Sequence, residues 1–127
     1  MQGKAAAATI LAGCLALAPV PASAGLELLM LDRKYCEWCE LWDVEIGGIY
    51  GKTEEGRCAS LRRMSVFDPV PDDVTLDRPA RYTPTFILLE DGREVGRIDG
   101  YPGADFFWPM LQNLIARAET ACETHGG

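Results

Sequence analysis

Eight residues, Tyr35-Cys36-Glu37-Trp38-Cys39-Glu40-Leu41-Trp42, constrain this chain more than any other stretch. They set two cysteines three apart at the head of a run in which Trp38, Trp42, Ile46 and Ile49 recur at helical spacing. Just upstream, the apolar run from Leu26 to Leu31 ends at Asp32-Arg33, as a central strand covered on both faces would. Two thiols so placed are metal ligands, a structural staple, or a redox couple.

A zinc site takes four protein ligands, or three and a water. Cys36 and Cys39 supply two. Cys58 and Cys122 lack C-x-x-C spacing, and the only histidine, His125, lies in a glycine-ended tail. No metal is assigned, although copper(I) on two thiolates remains an alternative. A staple fits poorly at an exposed helix start. A redox pair accounts for more. At a helix N-terminus the first sulfur lies beside unsatisfied N–H groups and the positive end of the helix dipole. Both stabilise the thiolate, which is the attacking species. Cys36 is therefore read as the nucleophile. Cys39, one turn on and expected to be the more buried, resolves the mixed disulfide.

Along the chain, Gly47-Gly48 should end or bend the first helix. Residues 51–57 read as a solvated loop and 60–67 as a second strand. Strand, helix and strand make a right-handed βαβ unit with parallel strands. Residues 68–79, rich in Pro and Asp, read as a loop with one helical turn. Phe86 to Glu90 is a strand, Asp91-Gly92 a tight turn needing φ > 0, and Glu94 to Asp99 the returning strand of a hairpin. From Ala104 the apolar set Phe107, Leu111, Leu114, Ala118 and Cys122 marks one face of a last helix, with Pro109 in its first turn or kinking it. Phe106 and Trp108 are expected to pack under the Gly100-Tyr101-Pro102 turn. The fold class is α/β: a mixed four-stranded sheet, β-α-β then β-β-α, flanked by helices.

The first 24 residues differ from the rest. A short basic start with Lys4, an Ala-rich apolar run, and Ala22 and Ala24 at the positions of an A-x-A cleavage site make a secretory signal peptide. Leu11-Ala12-Gly13-Cys14 also fits a lipobox, a minority alternative in which Cys14 anchors the protein. The expected organisation is a cleaved signal at 1–24 and one domain at 25–127, exported to the periplasm, where disulfides persist. The whole chain has a formal charge of −7. Loss of the signal removes one base and no acid. So acidic a domain is a poor candidate for nucleic acid or an anionic membrane.

C-x-x-C after a strand, then βαβ, then Thr83-Pro84-Thr85 entering a hairpin and a final helix, resembles the thioredoxin superfamily over residues 25–120. The resemblance implies a thiol–disulfide oxidoreductase with no bound cofactor. It implies that Pro84 is cis and faces the cysteine pair, and that a substrate strand docks along Thr83-Pro84. Tyr35 and Trp38 are candidates for the surrounding partner surface. The departures bear on redox tuning. Tyr35 stands where thioredoxin has Trp, and Glu37-Trp38 where it has Gly-Pro. The charge of Glu37 should raise the Cys36 pKa, which favours a reductase over a strong oxidase. Met30 occupies the place of the family's buried acid, leaving Asp32, Glu37 or water for proton relay. The segments 36–56 and 81–111 further resemble the small periplasmic thioredoxins of the bacterial sulfur-oxidation system. That likeness implies a reductase for the cysteine-bearing sulfur carrier protein, resupplied with electrons by a membrane thiol-transfer protein. Alternatives are a general periplasmic reductase for cytochrome c maturation or disulfide isomerisation, and a non-catalytic copper-binding or redox-sensing module. On this fold Cys58 and Cys122 come to the sheet end away from the active pair, as a structural disulfide or as two unpaired thiols. Arg78 and Arg81, before the proline, face solvent or an acidic partner peptide.

Overall fold

The strand Leu26–Asp32 (β1) lies inside the sheet, and its composition follows from that position. Leu28 and Met30 are buried in one core cluster, Leu29 and Leu31 in another. A strand covered on both faces has no polar side to alternate with. The computed structural model describes residues 25–122, with the isolated residues 3, 12 and 13. The rest of the expected signal, including Cys14, and His125 lie outside the described residues.

The sheet has the order β2-β1-β3-β4. β2 (Ala59–Ser65) pairs parallel with β1. β3 (Thr85–Glu90) runs antiparallel to β1, and β4 (Arg93–Asp99) antiparallel to β3. Asp91 and Gly92 join the last two with φ of 50° and 79°, both positive as a two-residue hairpin turn requires.

Helices cover one face. The first (α1) runs Glu37–Trp42 and widens into a π-helical turn over Asp43–Gly47, stopping at Gly48. A short 3-10 turn, Tyr50–Lys52, follows. The next segment corrects the sequence reading: of residues 51–57, read as loop, 54–57 belong to a helix, Glu54–Cys58 (α2). Thr53 caps it, its hydroxyl accepting from Gly56 N at 3.0 Å, and two acids fill the first turn. Gly56 is required here because a Cβ would overlap the Tyr50 carbonyl.

The last helix (α3) is Ala104–Arg117, with Pro109 inside it and Phe107, Leu111 and Leu114 buried. The helix does not continue to Cys122, although Ala118 and Cys122 still pack against the core. The chain turns extended at Ala118 (φ −69°, ψ 147°), and the N–H groups of Glu119 and Thr120 donate to the Glu90 carboxylate. These side-chain acceptors satisfy the chain where helix would otherwise continue.

Around Trp42 lie Phe86 at 5.3 Å and Tyr50 and Phe107 at 6.1 Å between ring centroids. Trp108 stacks on Tyr50 at 6.2 Å and Phe106 is exposed, so neither packs under the 100–102 turn as expected; Phe107 meets Tyr101 there instead. The reason is helical phase, since one residue in such a triplet points at the sheet.

The opposite face is closed by the irregular segment 66–80. Val74 is buried on Leu29, Leu31, Ile87 and Leu89. No helical turn forms among residues 68–79; Val74 N–H donates to Pro71 C=O at 3.0 Å in a simple turn, and Thr75 bridges the edge of β4. Prolines 69, 71 and 79 lack the N–H a helix needs. Glu94 and Arg97 project from β4 with side chains 1% and 4% exposed, and pair with each other. Arg97 also donates to the carbonyls of Arg78 (2.7 Å) and Pro79 (3.3 Å), and Glu94 accepts from Asp77 N–H at 2.7 Å. The pair thus clamps the segment leading to Thr83-Pro84.

Candidate active site

Register places the two halves of the site side by side. Leu31 of β1 lies opposite Thr85 of β3, so the segment leaving β1 runs beside the Thr83-Pro84 turn entering β3. The turn out of β1 needs Tyr35 in the left-handed region (φ 58°). Cys36 follows in extended conformation as the N-cap of α1, and its Sγ accepts from Cys39 N–H at 3.2 Å. A sulfur in this position sees the free N–H end of the helix. Cys36 and Cys39 are disulfide-bonded, with Cα atoms 5.2 Å apart. The expected difference in burial is absent: the two are 3% and 4% exposed. Both sit in the core cluster that includes Met30 and Phe86, beneath the helix start. What separates them is the hydrogen bond, which among the described residues Cys36 Sγ accepts and Cys39 Sγ does not.

The Thr83-Pro84 peptide is cis. Pro84 is buried, its carbonyl accepting from Gly100 N–H at 2.8 Å. Thr85 Oγ1 donates to the Tyr82 carbonyl. Neither the N–H nor the C=O of Thr83 has a hydrogen-bond partner among the described residues. Its hydroxyl accepts from Arg33 Nε at 2.9 Å, tying the proline turn to the segment that carries Cys36.

An open groove of about 840 Å³ runs past this point, lined by Arg33, Trp38, Phe67, Arg81 and Thr83 among others. Trp38 is 57% exposed and Tyr35, three residues before it, 91%. Trp42 is fully buried. Glu37 is exposed in the first turn of α1. Asp32 is ion-paired with Arg63 at 2.8 Å, and Arg63 also holds Asp43 at 2.6 Å. The Asp43 hydrogen bond, then that of Asp32, raises the Arg63 pKa, so the bridge is a fixed cation between two carboxylates. Arg33, Phe67 and the Asp32–Arg63–Asp43 bridge escape a sequence reading; the sole local signal is the basic pair Arg33-Lys34 before the motif. Arg78 is paired with Asp99 at 3.5 Å, whereas Arg81, which lines the groove, has no carboxylate partner among the described residues.

At the far sheet end Cys58 and Cys122 are joined, with Cα atoms 5.3 Å apart, a spacing usual for a disulfide. Among the described residues no three His, Cys, Asp or Glu side chains gather into a metal site, and no helix is long and apolar enough to cross a membrane.

A mixed β2-β1-β3-β4 sheet, with a C-x-x-C disulfide at the head of its first helix and a cis-proline entering β3, defines a thioredoxin-fold thiol–disulfide oxidoreductase. No family model matches the sequence, and no match is found among curated proteins. Among solved structures, the reduced form of the periplasmic thioredoxin SoxS from Paracoccus pantotrophus is 49% identical, over 74% of this chain and 99% of that one, with a TM-score of 0.73. Thioredoxin from Fasciola hepatica (17% identical, 71% of this chain, 81% of that one, TM-score 0.51) shares the fold. So does thioredoxin Mala s 13 from Malassezia sympodialis (15%, 75%, 79%, TM-score 0.50). The chain belongs to the thioredoxin superfamily and, within it, to the family of the periplasmic thioredoxin SoxS.

Proposed function

We propose that this protein is a periplasmic reductase that restores the thiol of the cysteine-bearing sulfur carrier protein of sulfur oxidation. The observation that carries this reading is the near full-length likeness to a periplasmic thioredoxin SoxS, together with a C-x-x-C pair capping a helix beside Thr83-Pro84. The working form is the dithiol. A substrate strand docks on the unpaired backbone of Thr83, with Pro84, Tyr35 and Trp38 around the reacting sulfurs. The Cys36 thiolate attacks the substrate disulfide, forms a mixed disulfide and expels one thiolate. Cys39 then loses its proton and attacks Cys36 Sγ, closing the Cys36–Cys39 disulfide and releasing the substrate sulfur as thiolate. Two electrons pass from the dithiol to the substrate, and a membrane thiol-transfer protein restores them.

Glu37 tunes this couple. Its charge opposes that of the Cys36 thiolate and works against the helix N-terminus. A less stabilised thiolate is the better reductant. With Asp32 held by Arg63 and Met30 in the core, the proton of Cys39 leaves to water or Glu37.

The test is a trap. Cys39→Ser leaves Cys36 unable to resolve its adducts. Expressed in a sulfur-oxidising host and alkylated, it should retain one dominant partner, the carrier protein. A broad set of adducts would replace this reading by a general reductase. Failure of the native protein to accelerate insulin reduction by dithiothreitol would leave a binding or sensing module.

A further inference from the structure

Two long-range hydrogen bonds tie the proline turn to the segment that carries the cysteines. Before Cys36, Arg33 Nε donates to Thr83 Oγ1. After Cys39, Glu45 Oε1 accepts from Tyr101 Oη at 2.9 Å, across 56 residues. Glu45 lies in the π-helical turn that continues α1. Tyr101 is joined to the proline through its own chain. Asp99 pairs with Thr85 at the end of the β3–β4 ladder, and Gly100 N–H donates to the Pro84 carbonyl one step beyond. Gly100 then turns with φ of 81°, which glycine adopts without steric cost. Tyr101 follows, 6% exposed, with its ring 6.0 Å from that of Phe107. Apolar packing of this kind sets how far apart the layers lie but is non-directional. A hydrogen bond to a charged acceptor fixes lateral position as well. The Glu45 carboxylate makes no other hydrogen bond or ion pair among the described residues.

We propose that Glu45 and Tyr101 are positioning residues for substrate capture, their hydrogen bond holding the Thr83-Pro84 backbone in register with the helix of Cys36. The proposal rests on the reductase reading and extends it to what sets the docking geometry. In thiol–disulfide exchange the attacking sulfur approaches along the axis of the bond it breaks. A strand docked on Thr83 must therefore present its sulfur in line with Cys36 Sγ, and a misplacement of about 1 Å can cost about a hundredfold in rate. A small disulfide that does not use the Thr83 backbone carries no such requirement.

The test compares two substrates of the reduced protein. One is a short peptide whose single cysteine forms a mixed disulfide with a coloured aromatic thiol. The other is the symmetrical disulfide of that thiol. Cys36 Sγ bonds to one sulfur of the reagent, its S–S bond breaks, and the coloured thiolate leaves with the electron pair, giving a second-order rate constant for each. Tyr101→Phe keeps the ring and loses the donor. It should slow the peptide about fivefold, as loss of one such hydrogen bond allows, and leave the small disulfide within about twofold of native. Glu45→Ala should do the same. Glu45→Gln, whose amide oxygen still accepts, should keep most of the native peptide rate. Tyr101→Phe/Glu45→Ala should be no slower than either single variant. An unchanged peptide rate in Tyr101→Phe, a parallel fall with both substrates, or losses that multiply in the double variant overturns the proposal. A native protein that reacts with the peptide no faster than free dithiothreitol does would instead overturn the reductase reading beneath it.

Discussion

Replacing Arg97 by alanine should be the most damaging change to a charged residue in this protein. The guanidinium donates to the buried Glu94 carboxylate through Nε and, at 2.8 Å, through Nη2. Without it Glu94 keeps only the Asp77 N–H. Breaking a buried ion pair costs about 3–5 kcal/mol. The remaining N–H and the edge position of β4 set the expectation near the lower end, about 3 kcal/mol. In a domain of this size that is a fall in Tm of roughly 15 °C. The pH dependence carries a further sign. Burial pushes Glu94 upward, but Arg97, the Asp77 N–H and neighbouring positive charge overcome it and hold the carboxyl below its usual value. Its contribution is therefore complete above the unfolded pKa, about 4.3, and is lost as pH falls through the folded one. In Arg97→Ala burial is left largely unopposed, so the folded pKa rises and protonation relieves the variant. The stability gap, measured by urea unfolding followed through Trp fluorescence, should narrow from pH 7 to pH 4. Glu94→Leu/Arg97→Met should recover most of the loss. A cost below about 1 kcal/mol at pH 7, or a gap that widens on acidification, would refute the buried-clamp account.

Three other outcomes are expected. Glu37→Gln should lower the Cys36 pKa, because it removes a negative charge next to the thiolate, read from thiolate absorbance against pH; an unchanged titration would remove Glu37 from redox tuning. Cys58→Ser/Cys122→Ser should lower stability by up to about 4 kcal/mol, since the bridge spans a sequence separation of 64, and urea midpoints report it. The Glu90 carboxylate is held below its usual pKa by the N–H groups of Thr120 and Glu119. The anchorage of the tail should hold above the usual carboxylate range and be lost as pH falls through the lowered value, seen as faster hydrogen exchange at those two amides after correction for intrinsic rates.

Much of the fold was legible because its signals are local. The run before Asp32, the C-x-x-C at a helix head, the Asp-Gly turn and the apolar face of α3 each declare themselves within about ten residues. The misreadings are local too, but finely balanced. Glu54–Cys58 is barely more than a turn of helix, stabilised by a Thr53 cap and by Gly56 against Tyr50. A periodic pattern ran on through Ala118 to Cys122, although the Glu90 carboxylate captures the chain after Arg117.

The sequence by itself determined the chemistry: two thiols at a helix start beside an acidic residue, and a Thr-Pro step into a hairpin. Those are choices of residue type and near spacing. Only the tertiary structure decided what surrounds them. Arg33 meets Thr83 across 50 residues, Arg63 joins Asp32 to Asp43, and Arg97 grips the Arg78 and Pro79 carbonyls. Each of these depends on strand register and on how segment 66–80 crosses the sheet. A side chain's partner across such distances is set by the packing of the whole core, and no local pattern encodes it.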